Sequence, residues 1–175
     1  RDFFDYTGKI SRSQLLNKIA EDEDYNEWLI NILASIKEMG RRPVFTSERL
    51  SQLDFLYSQL AGKYNVGVFA GKHDGKTLRQ NDLTEAVKQD IILASVGKVK
   101  EGLDLKKYLG EEEYKKLQPL DTIVIGSPTD DPEQQCGRVG RYLSGKDPLY
   151  VQPVLDNAFC MGRIKRSEGI FYKPR

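Results

Sequence analysis

The stretch EQQCGRVGRYL, residues 133 to 143, sets Gln134, Gly137, Arg138 and Arg141 at the spacing Gln-x-x-Gly-Arg-x-x-Arg. On a helix, residues three apart project from neighbouring positions of one face, so Arg138 and Arg141 make a pair. Two guanidiniums so placed suit a polyphosphate, because planar forked donors match phosphate oxygens two at a time. Gly137 lets an opposing group come close. The plainer use of the same residues is a basic surface helix with a few weak salt bridges, and spacing alone leaves both readings open.

A second stretch, AGKHDGKT at 70–77, fits the loose phosphate-loop pattern that ends in Gly-Lys-Thr. In a working loop the backbone amides curl around the phosphates, the lysine (here Lys76) reaches the β and γ oxygens, and the hydroxyl (Thr77) holds Mg²⁺. The metal also needs an acid, usually an Asp ending a neighbouring apolar strand. Here the later apolar runs end in LAS and IGS, with no carboxylate at that place. The segment therefore reads as a glycine-containing turn after a strand, with a solvated lysine rim. A stand-alone phosphate-loop NTPase using Lys76 and Thr77 is kept as the rival reading.

These residues need a scaffold, and the chain supplies an alternating one. From Tyr25, Trp28, Leu29, Ile32, Leu33 and Ile36 recur at helical steps, and Gly40 is a plausible stop. PVFTS then reads as a buried strand, and Leu50, Leu53, Leu56 and Leu60 mark a second amphipathic helix. VGVFA, DIILAS and DTIVIGS are short β-rich runs without polar alternation, as expected of strands covered on both faces. Helices are expected between them at about 77–89 and about 105–117. Another is expected to start at Pro132, with Asp130 or Asp131 as cap, and LYVQPVLD reads as a last strand. Such alternation predicts an α/β fold, an open parallel sheet with helices on both faces.

The composition bounds the function. The chain has 175 residues, 39% hydrophobic and 30% charged, with a formal net charge of +1. That is about one domain of ordinary globular make-up, not one that coats nucleic acid by bulk charge. Any phosphate contact must come from local patches and backbone amides. No apolar run approaches the roughly 18 residues of a membrane span, and no signal peptide is read, so no membrane partner is expected. Cys136, Cys160 and the lone His73 form no metal-ligand spacing; no metal site and a reduced, intracellular, soluble setting are expected. The first residue is Arg1 rather than Met, which suggests a processed product or a piece of something longer.

The arginine stretch closely resembles motif VI of superfamily 2 helicases and translocases. ASVGKVKEGLDL, residues 94–105, is similar to motif V, RRPVFTSERLSQLDFLYSQL to the motif IV strand and helix, and VGVFAGK to the strand and glycine turn that follow. Order and spacing resemble the second RecA-like domain of such motors over residues 25–156. Residues 1–24 form a lead-in and 157–175 a basic tail. The tail resembles the chain end of viral and phage members.

The resemblance implies a RecA-like fold and a nucleotide between two lobes. A preceding RecA-like domain would hold ATP with Mg²⁺, and this chain would supply arginine fingers. Arg141 would stabilise charge on the γ-phosphate, with Arg138 beside it and Gln134 orienting the pair. Gly102, Asp104 and Gly137 would lie near the nucleotide or those arginines, Asp104 doubling as a candidate helix cap. Nucleic acid, DNA ahead of RNA, would cross both lobes, its phosphates met by strand-end hydroxyls and helix-start amides. Thr46, Ser47, Gly71, Lys72, Ser95 and Lys98 occupy such places. Half an active site is missing from the chain, so it is expected to be inactive alone. A noncatalytic nucleic-acid-binding module of the same fold is the other rival.

Overall fold

Three short apolar runs dictate the centre of the molecule. In a computed structural model, which describes residues 7–8, 11–129, 132–137 and 147–152, they form β1 (Pro43–Ser47), β5 (Ile91–Ser95) and β6 (Thr122–Ile125). With β2 (Val66–Phe69) and β7 (Leu149–Val151) they make a five-stranded sheet in the order β2-β5-β1-β6-β7. Every pairing in it is parallel.

Side chains that alternate along a strand divide the core between two faces. Phe45, Leu93 and Val124 face helices α2 (Glu23–Glu38) and α3 (Leu50–Leu60), packing with Leu29, Leu33, Leu53 and Leu56. Val44, Ile92, Ile123 and Ile125 point the other way. They meet α4 (Gln80–Ala86), α5 (Val96–Gly102), α6 (Leu105–Lys116) and α7 (Glu133–Cys136) through Leu83, Val99, Leu105 and Cys136. Helices therefore cover both faces, as the alternation predicts. No helix among the described residues is long and apolar enough to cross a membrane.

Four local outcomes differ from the sequence reading. Within the lead-in of 1–24, α1 (Arg12–Glu21) is a capped helix whose Leu15, Leu16 and Ala20 are buried, and it packs on α2 and α3. Asp22 breaks α1 from α2 and caps the second helix by accepting the Tyr25 N–H at 2.7 Å. Trp28 does not join the apolar seam. That seam runs through Asn26, Leu29, Leu33 and Ile36, which leaves Trp28 at the flank, 45% exposed and stacked on Tyr25. The expected helix from 105 is interrupted at Gly110, where φ is +74°.

The fourth difference concerns the stretch 70–77. Lys72–His73 (β3) and Lys76–Thr77 (β4) pair as a tiny antiparallel hairpin. Asp74 and Gly75 have φ of +46° and +76°, the signature of a type I′ turn. The helix that follows starts only at Gln80.

A buried arginine ties the base of the sheet together. The Arg42 guanidinium donates to the carbonyls of Val87, Gln89 and Gln118, and the Arg42 backbone N–H donates to Asp121 Oδ1 at 2.9 Å. Burial lowers its pKa to about 10, since a low dielectric penalises the cation.

Candidate nucleic-acid and nucleotide interface

In parallel α/β sheets, loops at the carboxyl ends of the strands form the sites. Here β1 and β5 are neighbours and end in register, Ser47 opposite Ser95. Phe69 at the end of β2 stands beside Ala94, so the hairpin with Gly71 and Lys72 leaves from the same edge. Five of the six residues expected to meet phosphates, Ser47, Gly71, Lys72, Ser95 and Lys98, thus issue from the carboxyl ends of β1, β2 and β5.

The sixth, Thr46, is placed otherwise. It is fully buried, and its hydroxyl donates to Gln135 Oε1 across 2.8 Å. An inward β1 side chain cannot face a ligand above the edge; Thr46 instead joins the central strand to α7. Ser47 is buried too, its Oγ donating to Gln52 Oε1 at 2.7 Å and accepting the Arg49 N–H at 3.0 Å. Ser95 caps α5 by accepting the Lys98 N–H. The Lys98 ammonium pairs with Glu101 at 2.7 Å, and that hydrogen bond raises its pKa. Gly71 and Lys72 are exposed.

A cleft of about 440 Å³ opens over the two strand ends, lined by Arg12, Ser47, Glu48, Ser95, Gly97 and Lys100 among others. Two of these carry cationic charge that the sequence reading did not assign. Lys100 is exposed on α5. Arg12 arrives on α1 and makes a forked pair with Glu48, Nη1 to Oε2 at 2.7 Å and Nη2 to Oε1. Arg49 fastens the same helix by donating to Asn17 Oδ1 at 2.6 Å and to the Ser13 carbonyl and hydroxyl at 3.0 Å. The cleft therefore combines two cations with one carboxylate already matched to a guanidinium.

Behind the cleft, α5 packs on α7, with Val99, Leu103 and Cys136 in one apolar cluster. The segment 94–105 and the start of the segment 133–143 are neighbours in space. Between them Gly102 takes φ +145°, and Asp104 caps α6 by accepting the N–H groups of Lys106 (3.0 Å) and Lys107 (3.4 Å). The carboxylate of Asp104 thus does the work of a cap. Gln135 is 1% exposed and its Nε2 has no hydrogen-bond partner among the described residues. Gly137 is exposed at the end of α7. Arg138, Arg141, the cap candidates Asp130 and Asp131 and the tail 157–175 lie outside the described residues, as does the side chain of Gln134.

The described residues do not fit a complete Mg²⁺–triphosphate site. Lys76 and Thr77 belong to a strand of the hairpin rather than to a loop entering a helix, so their amides cannot cradle phosphates in the way a phosphate loop requires. Strand β6 runs into Gly126 and Ser127, where Ser127 Oγ accepts the Glu48 N–H at 3.0 Å. Among the described residues β6 itself ends without a carboxylate, and that of the neighbouring Glu48 is paired with Arg12. The stand-alone phosphate-loop reading loses its geometric basis.

No family model matches the chain. Over 171 residues, 97% of its length, it is 26% identical to a protein of Acanthamoeba polyphaga mimivirus named "Putative ATP-dependent RNA helicase L396". The chain spans about 30% of the length of that relative. Among solved structures, the C-terminal part of the Fun30 ATPase domain superposes with a TM-score of 0.58 at 13% identity, covering 91% of this chain and 55% of that one. The C-terminal domain of the DEAD-box protein Dbp5 gives 0.56 at 13% identity, covering 83% and 79%. The fold is the RecA-like one of those C-terminal domains, and the likeness to the mimivirus relative runs along nearly the whole chain.

Proposed function

We propose that this chain is the C-terminal motor domain of an ATP-dependent nucleic-acid helicase or translocase. The observation that carries this reading is the carboxyl edge of the sheet. Ser47 and Ser95 end side by side under a cleft with Arg12 and Lys100, and α5 packs on α7 just behind. One edge thus joins a surface for backbone phosphates to the segment that leads into Arg138 and Arg141.

In this account the phosphates of a single strand meet Lys72, Lys100, Arg12 and the α5 amides above Ser95. Such contacts read no bases, so they are sequence-independent and weaken as salt rises. Arg138 and Arg141 face a triphosphate that a preceding RecA-like lobe holds together with its Mg²⁺, and Gln134 orients them. An arginine finger supplies about 10³–10⁵ in rate in phosphoryl transfer generally. Opening and closing of the two lobes then moves the pair along the strand. Sequence reading favours DNA as that strand, whereas the mimivirus relative is named an RNA helicase; single strands of matched sequence in both chemistries, titrated at one salt concentration, decide the track.

The isolated chain tests the division of labour. It is expected to bind single strands without sequence preference and to show no ATP turnover with or without them. Turnover stimulated by nucleic acid and abolished by Lys76→Ala would overturn the proposal in favour of a self-sufficient NTPase.

A further inference from the structure

The geometry points to a binding site for a divalent transition-metal ion where the β3–β4 hairpin meets α3, with His73 and Asp74 as ligands and Asp54 holding the imidazole. Composition gave no hint of it, because Asp54 lies 19 residues before His73 on a different element. The fold brings one donor atom from each of the three within 4.8 Å of the others.

The two distances on the imidazole are unequal in an informative way. Nδ1 stands 2.6 Å from Asp54 Oδ1, a hydrogen-bond length with no room for an ion whose bonds are about 2.0–2.2 Å each. The Nδ1–H therefore donates to Asp54, and in the neutral ring that leaves the lone pair on Nε2. Nε2 stands 3.8 Å from Asp74 Oδ2, too long for a hydrogen bond and close to the span of two atoms bound to one ion at those bond lengths. A carboxylate behind the ring, the ring, and a second carboxylate ahead of it is how metal-ligating histidines are ordinarily oriented.

The surroundings hold this arrangement in place. The Tyr57 ring meets the His73 ring edge-on at 4.6 Å, and the imidazole is mostly sheltered, 18% exposed. The type I′ turn folds Asp74 back, its N–H donating to Asp54 Oδ1 at 3.3 Å, while its carboxylate stays open to water. Water fills the remaining positions on the ion. One imidazole nitrogen with carboxylate oxygen suits Zn²⁺ and its neighbours better than Mg²⁺ or Ca²⁺, which take all-oxygen sets. A bound ion would close the turn between His73 and Asp74, while the hydrogen bond from the ring to Asp54 ties the hairpin, and with it Lys72, to α3.

His73 is the sole histidine of the chain, so its ring nitrogens can be followed without ambiguity. The experiment is a Zn²⁺ titration of the metal-stripped 175-residue chain carrying Cys160→Ser, read by imidazole ¹⁵N resonances and by competition with a chelating dye. The Nε2 resonance is expected to move and saturate at one equivalent of Zn²⁺, and to ignore Mg²⁺. Asp74→Asn keeps the turn, since Asn tolerates positive φ, and is expected to weaken binding at least tenfold. Asp54→Asn is expected to weaken it by about 10–100-fold, with the circular dichroism unchanged. Imidazole resonances that stay put, or Zn²⁺ held as tightly by His73→Ala and Asp74→Asn as by the unaltered residues, would overturn the proposal.

Discussion

Thr46 and Gln135 meet across 2.8 Å with both side chains buried, linking the end of the central strand to the helix that leads into Arg138 and Arg141. The bond is the polar fastening between the sheet and α7. Thr46→Val keeps the shape and removes the hydroxyl, leaving the Gln135 amide unpaired. A buried group so stranded costs about 1–3 kcal/mol. The expected result is a lower urea midpoint for Thr46→Val and near-unaltered behaviour for Thr46→Ser, which restores the donor.

Arg12 and Glu48 give a prediction about charge in the cleft. Glu48 neutralises Arg12, so Glu48→Gln should release the guanidinium and tighten binding of single strands. Arg12→Ala and Lys100→Ala should each weaken binding evenly across sequences and reduce the slope of log K against log salt by about 1. Fluorescence anisotropy at several salt concentrations measures both effects. A Glu48→Gln variant that binds more weakly would place the strand away from this cleft.

Cys136 carries a dependence on pH. It is buried, and desolvation pushes its thiol from 9.0 up to about 12. Because the folded pKa lies above the unfolded one, the unfolded chain loses its proton first as pH rises. The contribution of this group is thus whole below pH 9 and declines between pH 9 and about 12. Urea midpoints of the chain in a Cys160→Ser background should fall over that window, and the added Cys136→Ala change should flatten that part of the slope. At pH 8 the Cys136 thiol should react with a disulfide reagent only on unfolding.

The sheet was legible because its strands are buried on both faces. PVFTS, IILAS and TIVI are apolar runs too short for helices, and they became β1, β5 and β6. The hairpin was not legible, since Lys72–His73 and Lys76–Thr77 are polar and two residues long; Asp74–Gly75 was the available signal, without apolar flanks. Helix α1 hid because Leu15, Leu16 and Ala20 are its whole buried set in a polar stretch.

The site divides in the same way. The edge is the legible part, since Ser47 and Ser95 end strands that the apolar runs mark and Lys72 follows another. The places of Arg12 and Lys100 in the cleft depend on α1 folding over the edge and on α5 existing as a helix, and neither follows from local pattern. The burial of Thr46 is not legible locally, because β1 is covered on both faces: Thr46 turns to Gln135 on α7, and Ser47, one step on, to Gln52 on α3. The bond of Gln135 to Thr46 is not legible either, because which side of α7 meets the sheet is decided by packing.

The central claim is that this domain completes a nucleotide site that another lobe begins. It is tested most directly by Arg141→Ala in the longer protein that we propose contains the chain, with steady-state ATP turnover and single-strand affinity measured on the same preparation. The account predicts turnover lower by about 10³-fold or more with strand affinity within about twofold of the unaltered protein. Equal losses in both, or turnover left intact, would contradict it.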